Sequence, residues 1–134
     1  MRRLIVNADD FGLHEAVNRG ILAAHTAGIV SSASLMAGGA AFDEAVRLAG
    51  ECPRLGVGVH LTLVGANPVL PVAEVSSLVD ETGSFYRSYP LFIKRLLRGK
   101  IRLAEVEQEL AAQIDRIRMA GIQPSHLDSH QHLH

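Results

Sequence analysis

Seven histidines occur in this chain, and four of them (His126, His130, His132 and His134) fall within its last nine residues, together with Asp128. At the other end stands an acidic pair, Asp9-Asp10, and between them His60 lies in Gly56-Val57-Gly58-Val59-His60-Leu61. Two imidazoles and a carboxylate are a common ligand set for a divalent ion that keeps positions open for water. Such an ion lowers the pKa of its water to about 7 and polarises a carbonyl oxygen. A second carboxylate nearby can then take the water's proton. Neighbouring side chains on an extended strand diverge, so Asp9 and Asp10 are expected to divide roles rather than chelate together. Each group also has a plainer use. An acid after a strand can cap the next helix, a lone histidine at a strand end can be structural, and an exposed histidine tail can bind metal by chance.

Chemistry of this kind needs strands that end at one rim. Arg2–Ala8, with Leu4-Ile5-Val6, reads as a strand covered on both faces, broken by Asp9-Asp10-Phe11-Gly12. A helix follows over about His14–Ala27, with Val17, Ile21 and Ala24 on one face and Gly28 as its C-cap. Ile29–Met36 reads as a strand, and Phe42, Ala45, Val46 and Ala49 as one face of a helix stopped by Gly50 and Pro53. Leu55–Leu63 is a third strand. Val64–Ser84 is a long loop, a functional candidate by its length. Tyr89–Arg98 is a short helix. Leu103, Val106, Leu110, Ile114 and Ile117 mark a longer one, with Glu105–Arg118 supplying a solvated face. Pro124–Ser129 is the fourth strand.

Strands alternating with helices predict a parallel α/β sheet with right-handed crossovers, equal to half of a (β/α) barrel or to a small open sheet. In such folds ligands sit beyond the carboxyl ends of the strands. That rule gathers Asp9, Asp10, His60, Asp128, His130 and His132, with Ser31, Ser32 and Ser34 as weaker candidates. If the last strand ran on to the end of the chain, its four histidines and Asp128 would share one face. Gly56 and Gly58 share a face with His60 and leave space beside it. His14 and His25 receive no role. Cys52, the single cysteine, lacks a base partner for nucleophilic work. Lys94, Arg95, Arg98, Lys100 and Arg102 read as a solvated run or a weak anion contact.

The 134 residues suffice for one domain with one core. With 48% apolar and 20% charged residues the chain is not a disordered one. Its 13 basic and 14 acidic side chains nearly cancel, which argues against nucleic acid as a partner. No apolar run is long enough to span a bilayer, and the single cysteine fits a reducing, cytoplasmic setting. A chain that stops on its most reactive segment reads as a piece of something longer, able to pair as a homodimer.

On these residues the chain resembles the YdjC-like carbohydrate deacetylases, the ChbG/HpnK family. Leu4-Ile5-Val6-Asn7-Ala8-Asp9-Asp10-Phe11-Gly12-Leu13, Gly58-Val59-His60-Leu61-Thr62-Leu63 and Ser125–His134 match its three motifs in order. Pro68-Val69-Leu70-Pro71 and Ser77-Leu78-Val79-Asp80 look closer to the hopanoid-associated branch. The resemblance spans the N-terminal half of a barrel-like domain. It implies a divalent ion (zinc or magnesium, with manganese or cobalt as further options) on Asp10, His60 and His130, with Asp9 as catalytic base. Asp128 would orient a ligand histidine, and His126 and His132 would support the ligands or meet the substrate. The implied reaction is hydrolysis of the N-acetyl group of an amino sugar, with the acid that protonates the leaving amine outside these residues. Two other readings stand beside it: another barrel metal hydrolase, a phosphoesterase or amidohydrolase, and a non-catalytic half domain that binds metal or sugar.

Overall fold

A computed structural model describes residues 4–132. Four strands, β1 (Asn7–Phe11), β2 (Ser32–Leu35), β3 (Gly56–Leu61) and β4 (Leu127–Ser129), form one sheet in the order β1-β2-β3-β4, every neighbouring pair parallel. The helices are α1 (Glu15–Thr26), α2 (Phe42–Glu51), α3 (Tyr89–Leu97) and α4 (Leu103–Met119), and a single 3-10 turn over His130–His132 follows β4. Consecutive strands as parallel neighbours with helical crossovers are the order of a (β/α) barrel opened out.

The sheet has two unlike faces. Ala33, Leu35, Val57 and Val59 turn towards the helices and meet Ile21 of α1, Phe42 and Ala45 of α2 and Ile117 of α4 in one buried core. Period-2 alternation therefore sends Ser32, Ser34, Gly56, Gly58 and His60 to the other face. The expectation of a first strand covered on both sides fails here. Leu4 and Ile5 are exposed, and the strand begins at Asn7 and runs through the acidic pair. Val6 still accepts the amides of Ser31 and Ser32, so the segment is tied to β2 without being buried.

Helix positions follow the periodicity closely, but their polar faces do not. His14 caps α1, its Nδ1 accepting the Ala16 amide at 3.1 Å, and Ala27 rather than Gly28 ends the helix. The solvated face expected of α4 is instead partly the inner one: Glu105, Glu109 and Gln113 are buried. The cause is the loop beneath them. Val64–Ser84 folds a second core from Val64, Val75, Leu78 and Val79 with Phe85, Phe92 and Ile101, and its amides need acceptors that no strand supplies. Glu109 accepts the amides of Val69 (2.8 Å) and Leu70 (3.0 Å), and Gln113 exchanges two hydrogen bonds with the Thr62 backbone. Glu105 accepts both the amide and the hydroxyl of Ser77 and is closed by Arg102. The basic run is accordingly not uniformly solvated, since Arg102 is engaged there and the Arg95 guanidinium lies 4.5 Å from the centre of the Tyr86 ring.

Burial pushes the Glu105 carboxyl up, but the Ser77 hydroxyl and amide, with Arg102, outweigh it and hold it below the ordinary 4.5. A carboxyl depressed on folding adds stability above its unfolded pKa, and that stability is lost as pH falls through the folded value. The urea midpoint of the wild type is expected to exceed that of Glu105→Gln near neutral pH and to converge on it in acid, as pH falls through the lowered folded value. A difference independent of pH would exclude Glu105 as the source.

Candidate metal centre

β1 positions the acidic pair by breaking its own regularity. Ala8 pairs with Ala33 and Phe11 with Leu35, so three steps on β1 match two on β2, which leaves a bulge at Asp9-Asp10. Asp10 takes φ 63°, and the only other non-glycine residue with positive φ among those described is Gln131, beside His130. Such conformations cost about 1–3 kcal/mol each and persist where the surroundings hold them. Gly12, at φ 88°, completes the turn; a Cβ there would meet Leu35 Cδ1 at 3.0 Å. Its amide donates to the buried Asn18 Oδ1 at 2.7 Å. The divergence expected of an extended strand does not arise, because the strand is not extended at Asp10, and both carboxylates reach the same rim.

There Asp10 Oδ1 lies 2.9 Å from His130 Nδ1 and 3.3 Å from His60 Nε2, and the two ring nitrogens are 3.2 Å apart. Ligand bonds of about 2.0–2.2 Å set neighbouring ligand atoms roughly 3 Å apart around one ion, so this triangle has the size such an ion requires. Asp10 Oδ1 is also buried and accepts no hydrogen bond. An orphaned carboxylate oxygen facing two imidazole nitrogens is costly to bury without a cation, and the three groups therefore fit a divalent ion. Asp9, His60 and Asp128 form a second group with ligand atoms within 4.8 Å of one another, so Asp9 stands beside the triangle.

His60 is 3% exposed, and its Nδ1 faces Asp128 Oδ1 at 2.7 Å. A carboxylate only accepts, so Nδ1 carries the proton and Nε2 presents its lone pair to the triangle. The space beside His60 is not empty. A Cβ on Gly58 would lie 2.4 Å from the His126 ring, which crosses over that glycine to reach Ser34. The strand does not run on: β4 ends at Ser129 and the chain turns at Gln131, so the condition for the histidines to share one strand face is not met among the described residues. His134 and the His132 side chain lie outside the described residues. Ser34, a weak candidate by sequence, is fully buried between Asn7, His126 and Asp128. Asn7 was not anticipated at all. Its place two residues before Asp9, on the same strand face, was the available signal.

The model of the family described as YdjC-like protein matches residues 3–134. The chain belongs to the YdjC-like family. Carbohydrate deacetylases of Brevibacillus brevis and Geobacillus stearothermophilus are 46% and 44% identical to it over 98% and 99% of its length. It spans about half the length of these curated relatives, 50% and 51% respectively. A crystal structure from Enterococcus faecalis, provisionally described as a cellobiose-phosphate cleavage protein, superposes with a TM-score of 0.86 at 42% identity. That match covers 96% of this chain and 48% of the other, so the YdjC-like sheet seen here is about half of a barrel-like fold. Among the described residues no helix is long and apolar enough to cross a membrane.

Proposed function

We propose that residues 1–134 form one domain carrying the ion-binding and base residues of a carbohydrate N-deacetylase. The observation that carries this reading is the triangle of Asp10, His60 and His130 with its orphaned oxygen, in a chain whose relatives are named carbohydrate deacetylases. Zinc or magnesium would be held by those three residues, with manganese and cobalt compatible with the same donors. When bound, the ion supplies Lewis acidity towards an amide carbonyl.

This chain's own residues do the rest. Asp9 is the exposed carboxylate of the site, and Asn7 Nδ2 donates to its Oδ1 at 2.8 Å, which fixes its rotamer. A carboxylate held by a neutral donor beside the ion suits the acceptance of a proton from water. His60 cannot be that base, since both its nitrogens are engaged. A cleft of about 460 Å³ lined by Gly38, Gly39, Gly65, Asn67, Ser84 and Arg87 adjoins the site. A Cβ on Gly65 would lie 3.9 Å from His130 Nε2. Its backbone and amide, hydroxyl and guanidinium groups suit a sugar ring presenting an N-acetyl group. The hopanoid-associated assignment rests on the Pro68–Pro71 and Ser77–Asp80 segments of the Val64–Ser84 loop. A cytoplasmic location, with Cys52 free, and pairing of two copies belong to the same reading.

The test is acetate release from N-acetylglucosamine oligomers with zinc or magnesium added. Acetate release that disappears in Asp9→Asn while metal binding persists is the expected result. Phosphate release from a phosphate monoester without acetate release would replace the reading with a phosphoesterase. Neither release, with the ion bound stoichiometrically, would refute catalysis by this chain.

A further inference from the structure

Ser34 reaches the ion site through another residue, and the protons around it can be counted. Asp128 accepts at both oxygens, from His60 Nδ1 at 2.7 Å and from the Ser34 hydroxyl at 2.5 Å. That uses the only proton of Ser34. Its oxygen must then accept from its other two partners, Asn7 Nδ2 at 2.8 Å and His126 Nε2 at 3.1 Å. The direction of every bond follows from one fact, that a carboxylate has no proton to give. Asn7 has two amide protons, and they go to Asp9 Oδ1 and to Ser34 Oγ. The backbone builds the arrangement: Ser34 lies opposite Gly58, and His60 opposite Asp128, in adjacent registers. The absent side chain at Gly58 is what lets His126 reach across β3 to Ser34 of β2.

We propose that Ser34 is a positioning residue of the ion site, whose hydroxyl pins Asp128 so that His60 keeps its proton on Nδ1 and its lone pair on Nε2. Without that hydroxyl, Asp128 Oδ2 loses its donor, and the carboxylate is free to rotate away from His60. This inference rests on the proposed ion site for its consequence, but not for its proton arrangement, which follows from the hydrogen-bond partners alone.

The experiment compares wild type, Ser34→Ala and Asn7→Ala by nitrogen-15 NMR of the histidine rings in the apo protein and by calorimetric titration with Zn²⁺. In the wild type, neutral His60 is expected as the single Nδ1–H tautomer. Ser34→Ala is expected to give a mixture of tautomers and to weaken Zn²⁺ binding about 10–100-fold, the range for residues that orient a ligand. Asn7 is exposed, so Asn7→Ala is expected to fold, and to shift both readouts in the same direction by less. It keeps the test open should Ser34→Ala not fold. An unchanged tautomer and affinity in a folded variant would overturn the proposal. A wild type that binds no Zn²⁺, yet whose His60 tautomer responds to Ser34→Ala, would overturn the ion site and leave the role of Ser34 standing.

Discussion

Asp10→Asn is expected to abolish high-affinity Zn²⁺ binding while leaving the apo protein at least as stable as the wild type. The two effects share one cause. Asp10 Oδ1 is buried without a hydrogen-bond donor, and its backbone sits at φ 63°. Asparagine tolerates that conformation well, and its amide can donate to His130 or His60 where the carboxylate cannot. The affinity should fall by more than the roughly 100-fold that loss of an orienting residue costs, because a charged ligand is removed outright. The urea midpoint should stay level or rise, since the unpaired buried oxygen gives way to a group that can donate, at a backbone conformation both residues tolerate. Calorimetric titration and urea unfolding of the two proteins check this. Retained affinity would remove Asp10 from the ligand set, and a clear loss of stability would mean that the buried Asp10 oxygen is not an unpaired one.

Glu109→Ala is expected to lower stability by about 3 kcal/mol. Three donors (the amides of Val69 and Leu70, and Gln113 Nε2) lose their acceptor at once, and each buried donor left alone costs about 1–3 kcal/mol. Partial access of water to the loop keeps the sum at the low end. Glu109→Gln retains one acceptor oxygen and should lose roughly half as much. Hydrogen exchange should report the loss at Val69 and Leu70 first, because those amides depend on a side chain rather than on a strand. A change below about 1 kcal/mol in Glu109→Ala would show that the loop is held by its apolar cluster alone.

The difference between those two sites is instructive about what a one-dimensional reading can reach. That Asp10, His60 and His130 gather at one rim with Asp9 and Asp128 was legible because strands of a parallel sheet deliver their carboxyl-terminal residues to one edge, β3 showing as an apolar run and the helices as period-3.6 stripes; the choice of those three as the ligand set came from the family resemblance. Val57 and Val59, Ile21, Phe42 and Ile117 are in the core as their spacing demands. Glu109 and Gln113 were not legible as buried groups. On α4 they look like any polar face, and only the loop folded against them, a segment without periodicity, turns them into acceptors for its own amides. Leu4-Ile5-Val6 misled in the opposite sense, since an apolar run marks a strand only where something covers it, and here Leu4 and Ile5 are exposed.

By itself, then, the sequence determined the order and kind of most elements, the α/β class, the family, and the residue types that meet at the rim, since these depend on local periodicity and on short motifs. Tertiary structure alone decided the bulge that brings both Asp9 and Asp10 to one rim, the ring of His126 lying in the space above Gly58, and the place of Ser34 and Asn7 in the proton network. The physical reason is that these depend on strand register and on contacts between residues as much as 94 positions apart. A shift of one residue in pairing would send each of those side chains to the opposite face.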